Sequence, residues 1–257
     1  MLIASTSLLS LTDRLRWKLS FVSSYHHRRK LIDSSISENI LGKNMLSTSE
    51  MTMLRTFMSA CDHDTYEHSY RIAHLAQRVA RSLQLSQEEV CLVYLAALLH
   101  DIGKVTIPDA ILKKRGPLND DEQEIMRLHP QIGQHMLTQA GGVFGQLAAI
   151  VVAHHERWDG LGYPGGLAGE HIPVLARIVA VVDSFDAMTS SRGYRRPLSE
   201  AEADAELEIC AGSQYDPRVV AAFLSTRDTQ IVPETGRMYP PLIAWMAQAN
   251  TTNTLYV

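Results

Sequence analysis

Two strongly apolar runs in the chain, LAALL at 95–99 and AAIVVA at 148–153, each stop at a pair of polar residues, His100-Asp101 and His154-His155. Apolar runs of this kind are core segments, so whatever directly follows them enters the fold near core depth. Burying an imidazole with no partner costs several kcal/mol, and burying an ionised carboxylate costs far more. The chain must therefore fold so that these polar ends meet one another, or something that satisfies them together.

The surrounding spacing is helical. Ile72, Leu75, Ala76 and Val79 recur at three- and four-residue steps and predict one buried stripe. Ser86 with Glu89, and Ser199 with Glu202, fit capping boxes. Asn119 can cap a helix running through Met126, and Asp216 precedes a proline at a first helical position. Strand signals are few, so the predicted fold class is all-α, a helical bundle. Glycine and proline gather in DGLGYPGGLAGEHIP, residues 159–173, the one long loop of the helical part and a natural place for function. The expected organisation is an N-terminal helical flank of unassigned role at 1–48, with a basic run at His26–Lys30, then a catalytic domain at 49–228. A tail at 229–257 is expected to pack as a short helix and fray.

A net charge of −4 gives no general attraction to polymeric nucleic acid, while a small phosphorylated ligand needs only a few local cations. Cys61, Cys91 and Cys210 are odd in number and far apart, which speaks against a disulfide framework or a thiolate zinc site and points to a reducing, cytoplasmic setting. No segment approaches the roughly 20 apolar residues of a membrane helix.

His68, His100, His129, the His154-His155 pair and Asp183 fall on five different predicted helices. Helical bundles build metal sites in this way, from residues that face inward on neighbouring helices. Imidazole and carboxylate donors without thiolate suit iron or manganese, with zinc or nickel open. There are more candidate donors than one ion needs, so a bridged pair is expected, with Asp101 as bridging carboxylate. Two ions about 3.5–4 Å apart can activate water and stabilise a leaving oxygen. Lys104 lies four residues after His100 and faces the same site if the helical turn continues. Asp64, four residues before His68, is an extra ligand or a simple helix-start carboxylate. His63, His74, His135 and His171 are expected at surface or supporting positions.

HDIGK at 100–104 resembles the HD phosphohydrolase superfamily, and HHERWDGLGYPGGLAGEHIP at 154–173 followed by ARIVAVVDSFDAMTS resembles its HD-GYP branch, over about residues 60–225. The resemblance implies an HD-type helical bundle, a bi- or trinuclear metal site, and hydrolysis of cyclic di-GMP to pGpG or GMP. It implies that His68, His100, Asp101, His129, His154, His155 and Asp183 are metal ligands, with Asp101 and Lys104 catalytic and Lys104 lining the substrate site. Asp64 matches a carboxylate, usually glutamate, of trinuclear members. Arg192 and Arg195 match a phosphate-binding pair, although Gly193 departs from the usual RPYR. Gly162 and Tyr163 belong to the namesake loop, where Tyr163 would contact a guanine or a partner such as a GGDEF-type diguanylate cyclase or an adaptor. Glu156 and Asp159 would orient the ligand histidines, and a homodimer is among the expected states. The alternatives are a non-catalytic signalling module that binds a partner through the loop, and a hydrolase of another cyclic dinucleotide.

Overall fold

A computed structural model of the chain describes residues 63–190 and 196–227. The expectations for 1–48, for the C-terminal tail, for Arg192 and Arg195, and for the side chain of Asp64 lie outside the described residues. Within them the chain is helical and contains no strand: α1 is His63–Ser82, α2 Gln87–Leu99, α3 Asp109–Leu112, α4 Asp120–Met126, α5 His129–Ala140, α6 Gly142–Val152, α7 Val174–Thr189, α8 Glu200–Cys210 and α9 Pro217–Arg227. Short 3-10 turns fill Ile102–Thr106 and Gly169–His171.

The helix starts follow their local chemistry. Ser86, Asn119 and Ser199 each accept from the backbone N–H three residues on, and Glu89, Glu122 and Glu202 reach back to complete the box. Asp216 Oδ1 accepts from Arg218 N at 2.8 Å ahead of Pro217. α4 ends at Met126 and α5 begins at His129, so the chain bends immediately before a predicted ligand.

α2 is the central helix. Val90, Cys91, Val93 to Ala97 and Leu99 are all buried, apolar around most of the circumference, because α1, α6 and α7 pack around it. Each fully buried Leu, Ile or Val here contributes roughly 1.5–3 kcal/mol of transfer free energy. The buried stripe of α1 is Ile72, Ala73, Ala76, Val79 and Ala80, and Leu75 sits at its edge. α1 also packs on α7 and α9, and α5 packs on α6 and on the 102–106 turn. That last contact is close: a Cβ on Gly103 would sit 2.0 Å from the His129 carbonyl oxygen. The absence of a side chain there lets the turn after His100-Asp101 lie directly against the start of α5.

Candidate metal centre

The packing brings the ends of α2 and α6, the start of α5 and the middles of α1 and α7 to one place. His100, at the end of α2, is 1% exposed, and His129 and His154 are as deeply buried. Two groups of donors form, His129 with His154 and His155, and His68 with His100 and Asp101; within each group the donor atoms lie within 4.8 Å of one another. Asp101 joins them, with Oδ2 3.2 Å from His100 Nε2 and Oδ1 3.3 Å from His129 Nε2. Asp183, on α7, puts Oδ1 3.3 Å from His68 Nε2 and 3.9 Å from His100 Nε2.

The ring orientations are fixed from behind. Nδ1 of His100 donates to Ala97 O at 2.8 Å, Nδ1 of His129 to Met126 O at 2.9 Å, and Nδ1 of His154 to Val151 O at 2.6 Å. Those carbonyls lie in the last turns of helices and have no partner in the helical ladder. Each bond leaves Nε2 as the lone-pair atom, aimed at the shared centre. The Nε2 atoms of His129 and His154 come within 3.3 Å of each other.

These residues fit a pair of divalent cations. His100 Nε2 and Asp101 Oδ1 are buried and make no hydrogen bond in spite of their close neighbours. Orphaned polar atoms at core depth are costly unless something else satisfies them. Burial lowers the His129 and His155 imidazoles to about 4, and burial with its histidine neighbours drives His154 well below the usual range, so all three are neutral donors near pH 7. Burial alone would raise the carboxyls of Asp101 and Asp183, but neighbouring charge and hydrogen bonds outweigh it, from His100 and Lys104 on Asp101 and from His68 and His100 on Asp183, and hold both ionised. Burial would likewise lower His68, yet bonds to Asp183 and Asp186 lift it to about 9. A metal ion at its Nε2 would take the place of a proton.

Lys104 reaches the site by a different route from the one its spacing suggests. α2 stops at Leu99, and the following 3-10 turn brings Lys104 Nζ to 2.6 Å from Asp101 Oδ2, with a third of the side chain exposed. Tyr163 stacks on His155, ring centroids 4.8 Å apart, and the guanidinium of Arg127 lies 5.3 Å from the tyrosine ring centre. Gly162 acts in the loop's own packing: a Cβ there would fall 2.3 Å from Arg157 N and 2.6 Å from His155 O.

One expectation is corrected. Glu156 and Asp159 do not orient ligand histidines. Glu156 accepts from Gly165 N at 2.6 Å and Leu167 N at 3.0 Å, and Asp159 pairs with Arg157 and caps Leu161 N. Both serve the loop's unpaired backbone donors, a demand that is invisible before the loop's path is known. Of the remaining histidines, His135 and His171 are exposed, and His74 sits edge-on to Tyr70 and Tyr94. Two residues escaped the sequence reading. Asp186 bonds His68 Nδ1 at 2.7 Å, and Arg71 bonds Asp186. Their only sequence signal is spacing, three residues after Asp183 and three after His68.

The structure has no helix, among the described residues, that is long and apolar enough to cross a membrane. Among curated proteins, a cyclic di-GMP phosphodiesterase of Thermotoga maritima is 39% identical over 223 residues, covering 84% of this chain and 61% of that protein. The cyclic di-GMP phosphodiesterase response regulator RpfG of Xanthomonas campestris is 48% identical over 61% of this chain and 42% of its own length. A 3'3'-cGAMP-specific phosphodiesterase of Vibrio cholerae is 36% identical over 68% of this chain and 34% of its own. The chain thus spans less than two thirds of the length of these relatives. An HDG"Y"P protein from Bdellovibrio bacteriovorus shares the fold, with a TM-score of 0.53 at 20% identity over 64% of this chain and 53% of that one. The family model for the HD domain, a divalent-metal-binding fold, matches residues 52–219. Since that match runs from before His68 to beyond Asp183 and takes in every donor described above, the chain belongs to the HD domain family.

Proposed function

We propose that this chain is a metal-dependent phosphodiesterase that hydrolyses cyclic di-GMP, giving pGpG or GMP. The observation that carries the reading is the pairing of two donor groups through the single carboxylate of Asp101. Relatives that carry the activity in their names support the substrate. His68, His100, Asp101 and Asp183 would hold one ion, and His129, His154, His155 and Asp101 the other. The donor set favours iron or manganese. Bound ions supply Lewis acidity, which polarises the phosphoryl group and activates water for in-line attack.

The chain's own residues do the rest. Backbone carbonyls hold three imidazoles in one tautomer, so the donors need no reorganisation as the reaction proceeds. Lys104, partly exposed above Asp101, neutralises charge that builds on a phosphoryl oxygen. The Tyr163 ring, stacked on His155 with the Arg127 guanidinium over it, stands beside the centre as a contact for a guanine. Arg192 and Arg195 supply phosphate contacts, a role that rests on their family-like spacing. Asp64 would add a ligand only if a third ion binds. Leu161, 78% exposed on the same loop, is a contact point for a GGDEF-type or adaptor protein.

The relatives specific for 3'3'-cGAMP support a second reading, in which the preferred substrate is another cyclic dinucleotide. Anaerobically purified protein assayed against a panel of cyclic dinucleotides tests both. Turnover fastest with cyclic di-GMP, with about two ions per chain, is expected. A metal-loaded protein that leaves every cyclic dinucleotide intact would refute the hydrolase.

A further inference from the structure

His68 differs from the other ring donors in where it stands. His100, His129 and His154 occupy helix ends, where free carbonyls are at hand to fix the ring. His68 lies inside α1, where each carbonyl is already engaged by the N–H four residues on. Its Nδ1 is held from another helix instead. The partner comes from α7: Asp186 Oδ2 lies 2.7 Å from His68 Nδ1. Asp186 is 5% exposed and is itself held from the far side. Arg71 Nε donates to Oδ1 at 2.7 Å and Arg71 Nη2 to Oδ2 at 3.0 Å, a two-pronged grip, and Ser190 Oγ adds a bond at 3.1 Å. An ionised carboxylate only accepts, so His68 must donate from Nδ1. Its Nε2 is then the atom that faces Asp183 and the centre.

We infer that Asp186, clamped by Arg71, is a positioning residue that sets occupancy of the His68–His100–Asp101 half of the centre and leaves the His129–His154–His155 half alone. No contact links Asp186 to those three histidines among the described residues; backbone carbonyls hold the rings of His129 and His154, and His155 lies against Tyr163. Loss of a carboxylate behind a ligand histidine typically weakens metal binding by about 10–100-fold. The inference rests on the two-ion reading above and is independent of the substrate.

The test is metal titration of the whole chain, with iron or manganese alone, read by elemental analysis and calorimetry. Asp186→Ala should weaken one of two ions by about 100-fold and Asp186→Asn, which keeps an acceptor but no charge, by about tenfold. Arg71→Gln should shift the same ion in the same direction and by less. The second ion, retained at wild-type affinity, reports that the fold is intact; because Asn fills the same space, a poorly folding Ala variant leaves the test in place. Two ions held at wild-type affinity in both Asp186 variants, or parallel loss of both ions, would overturn the assignment. A wild type that binds two ions without cleaving any cyclic dinucleotide removes the substrate and leaves this role standing. A wild type that binds fewer than two removes the reading of the site itself.

Discussion

His129, His154 and His155 form a set of imidazoles alone, while His68 and His100 share their space with Asp101 and Asp183. In the first set, ring nitrogens approach to 3.3 Å beside one carboxylate, Asp101, and burial keeps the rings neutral. In the second, carboxylates draw cationic partners, His68 and Lys104, into the cluster. A cation entering the first set meets neutral ring nitrogens and the shared Asp101 carboxylate. One entering the second must displace a proton from His68 and compete with the Lys104 ammonium. The two halves thus reach a similar density of donors with different numbers of carboxylates, and among the described residues Asp101 is the one common to both. Its effects should therefore be unlike those of any other ligand.

Substituting Asp101 should have the largest effect. Asp101→Ala is expected to lower cyclic di-GMP turnover on the order of 10³-fold and to cost metal in both halves. His154→Ala should remove one ion and leave the other. Elemental analysis of the two variants side by side decides the matter, and an Asp101→Ala protein that keeps a full pair of ions breaks the comparison. Lys104→Ala comes next, with kcat down by about 100-fold as charge stabilisation is lost. Its metal affinity should rise at the His68–His100 half alone, because a competing cation has gone from Asp101 Oδ2, the oxygen nearer His100. Equal affinity gains in both halves would show that Lys104 acts through the general field and not through its bond to that oxygen.

Much of this centre could be read before any coordinates, because the apolar runs at 95–99 and 148–153 deliver their polar ends to core depth whatever the details of packing. The helix starts were equally legible, since a capping box is a contact between residues three apart. What stayed hidden depends on residues that meet across the fold. Asp186 and His68 are 118 positions apart, and their spacing to Asp183 and Arg71 says only which faces of α1 and α7 they share. The four-residue spacing of Lys104 from His100 puts it at the site only if the helix continues, and the helix ends at Leu99. Arg192 and Arg195 lie outside the described residues, so their part in the site stands on sequence alone.

Gly103 tests how tightly the two halves are joined. It holds the turn bearing Asp101 and Lys104 against the backbone of His129, so it touches one element of each half. Gly103→Ala must push them apart, because the nearest obstacle is a carbonyl oxygen with no freedom to rotate away. A loss of about 3 kcal/mol in unfolding free energy is expected, at the high end for overpacking. Thermal denaturation of the metal-free protein would show it, and an unchanged Tm would mean that the turn and α5 can separate freely.

Glu156 should give the smallest effect, and it separates the loop from the metal centre. Its two carboxylate oxygens take the N–H groups of Gly165 and Leu167, which fold the loop back over the segment bearing His155. Glu156→Gln keeps the shape and one acceptor oxygen, so one backbone donor is left to water. A net loss near 1 kcal/mol follows, the usual worth of one such bond, and it should loosen the Tyr163 ring on His155 without moving His155 itself. The expected outcome is a KM for cyclic di-GMP raised about fivefold, with kcat and metal content near wild type. Loss of an ion in Glu156→Gln would mean that this carboxylate supports the ligand histidines after all, which its hydrogen bonds in the structure give it no means to do.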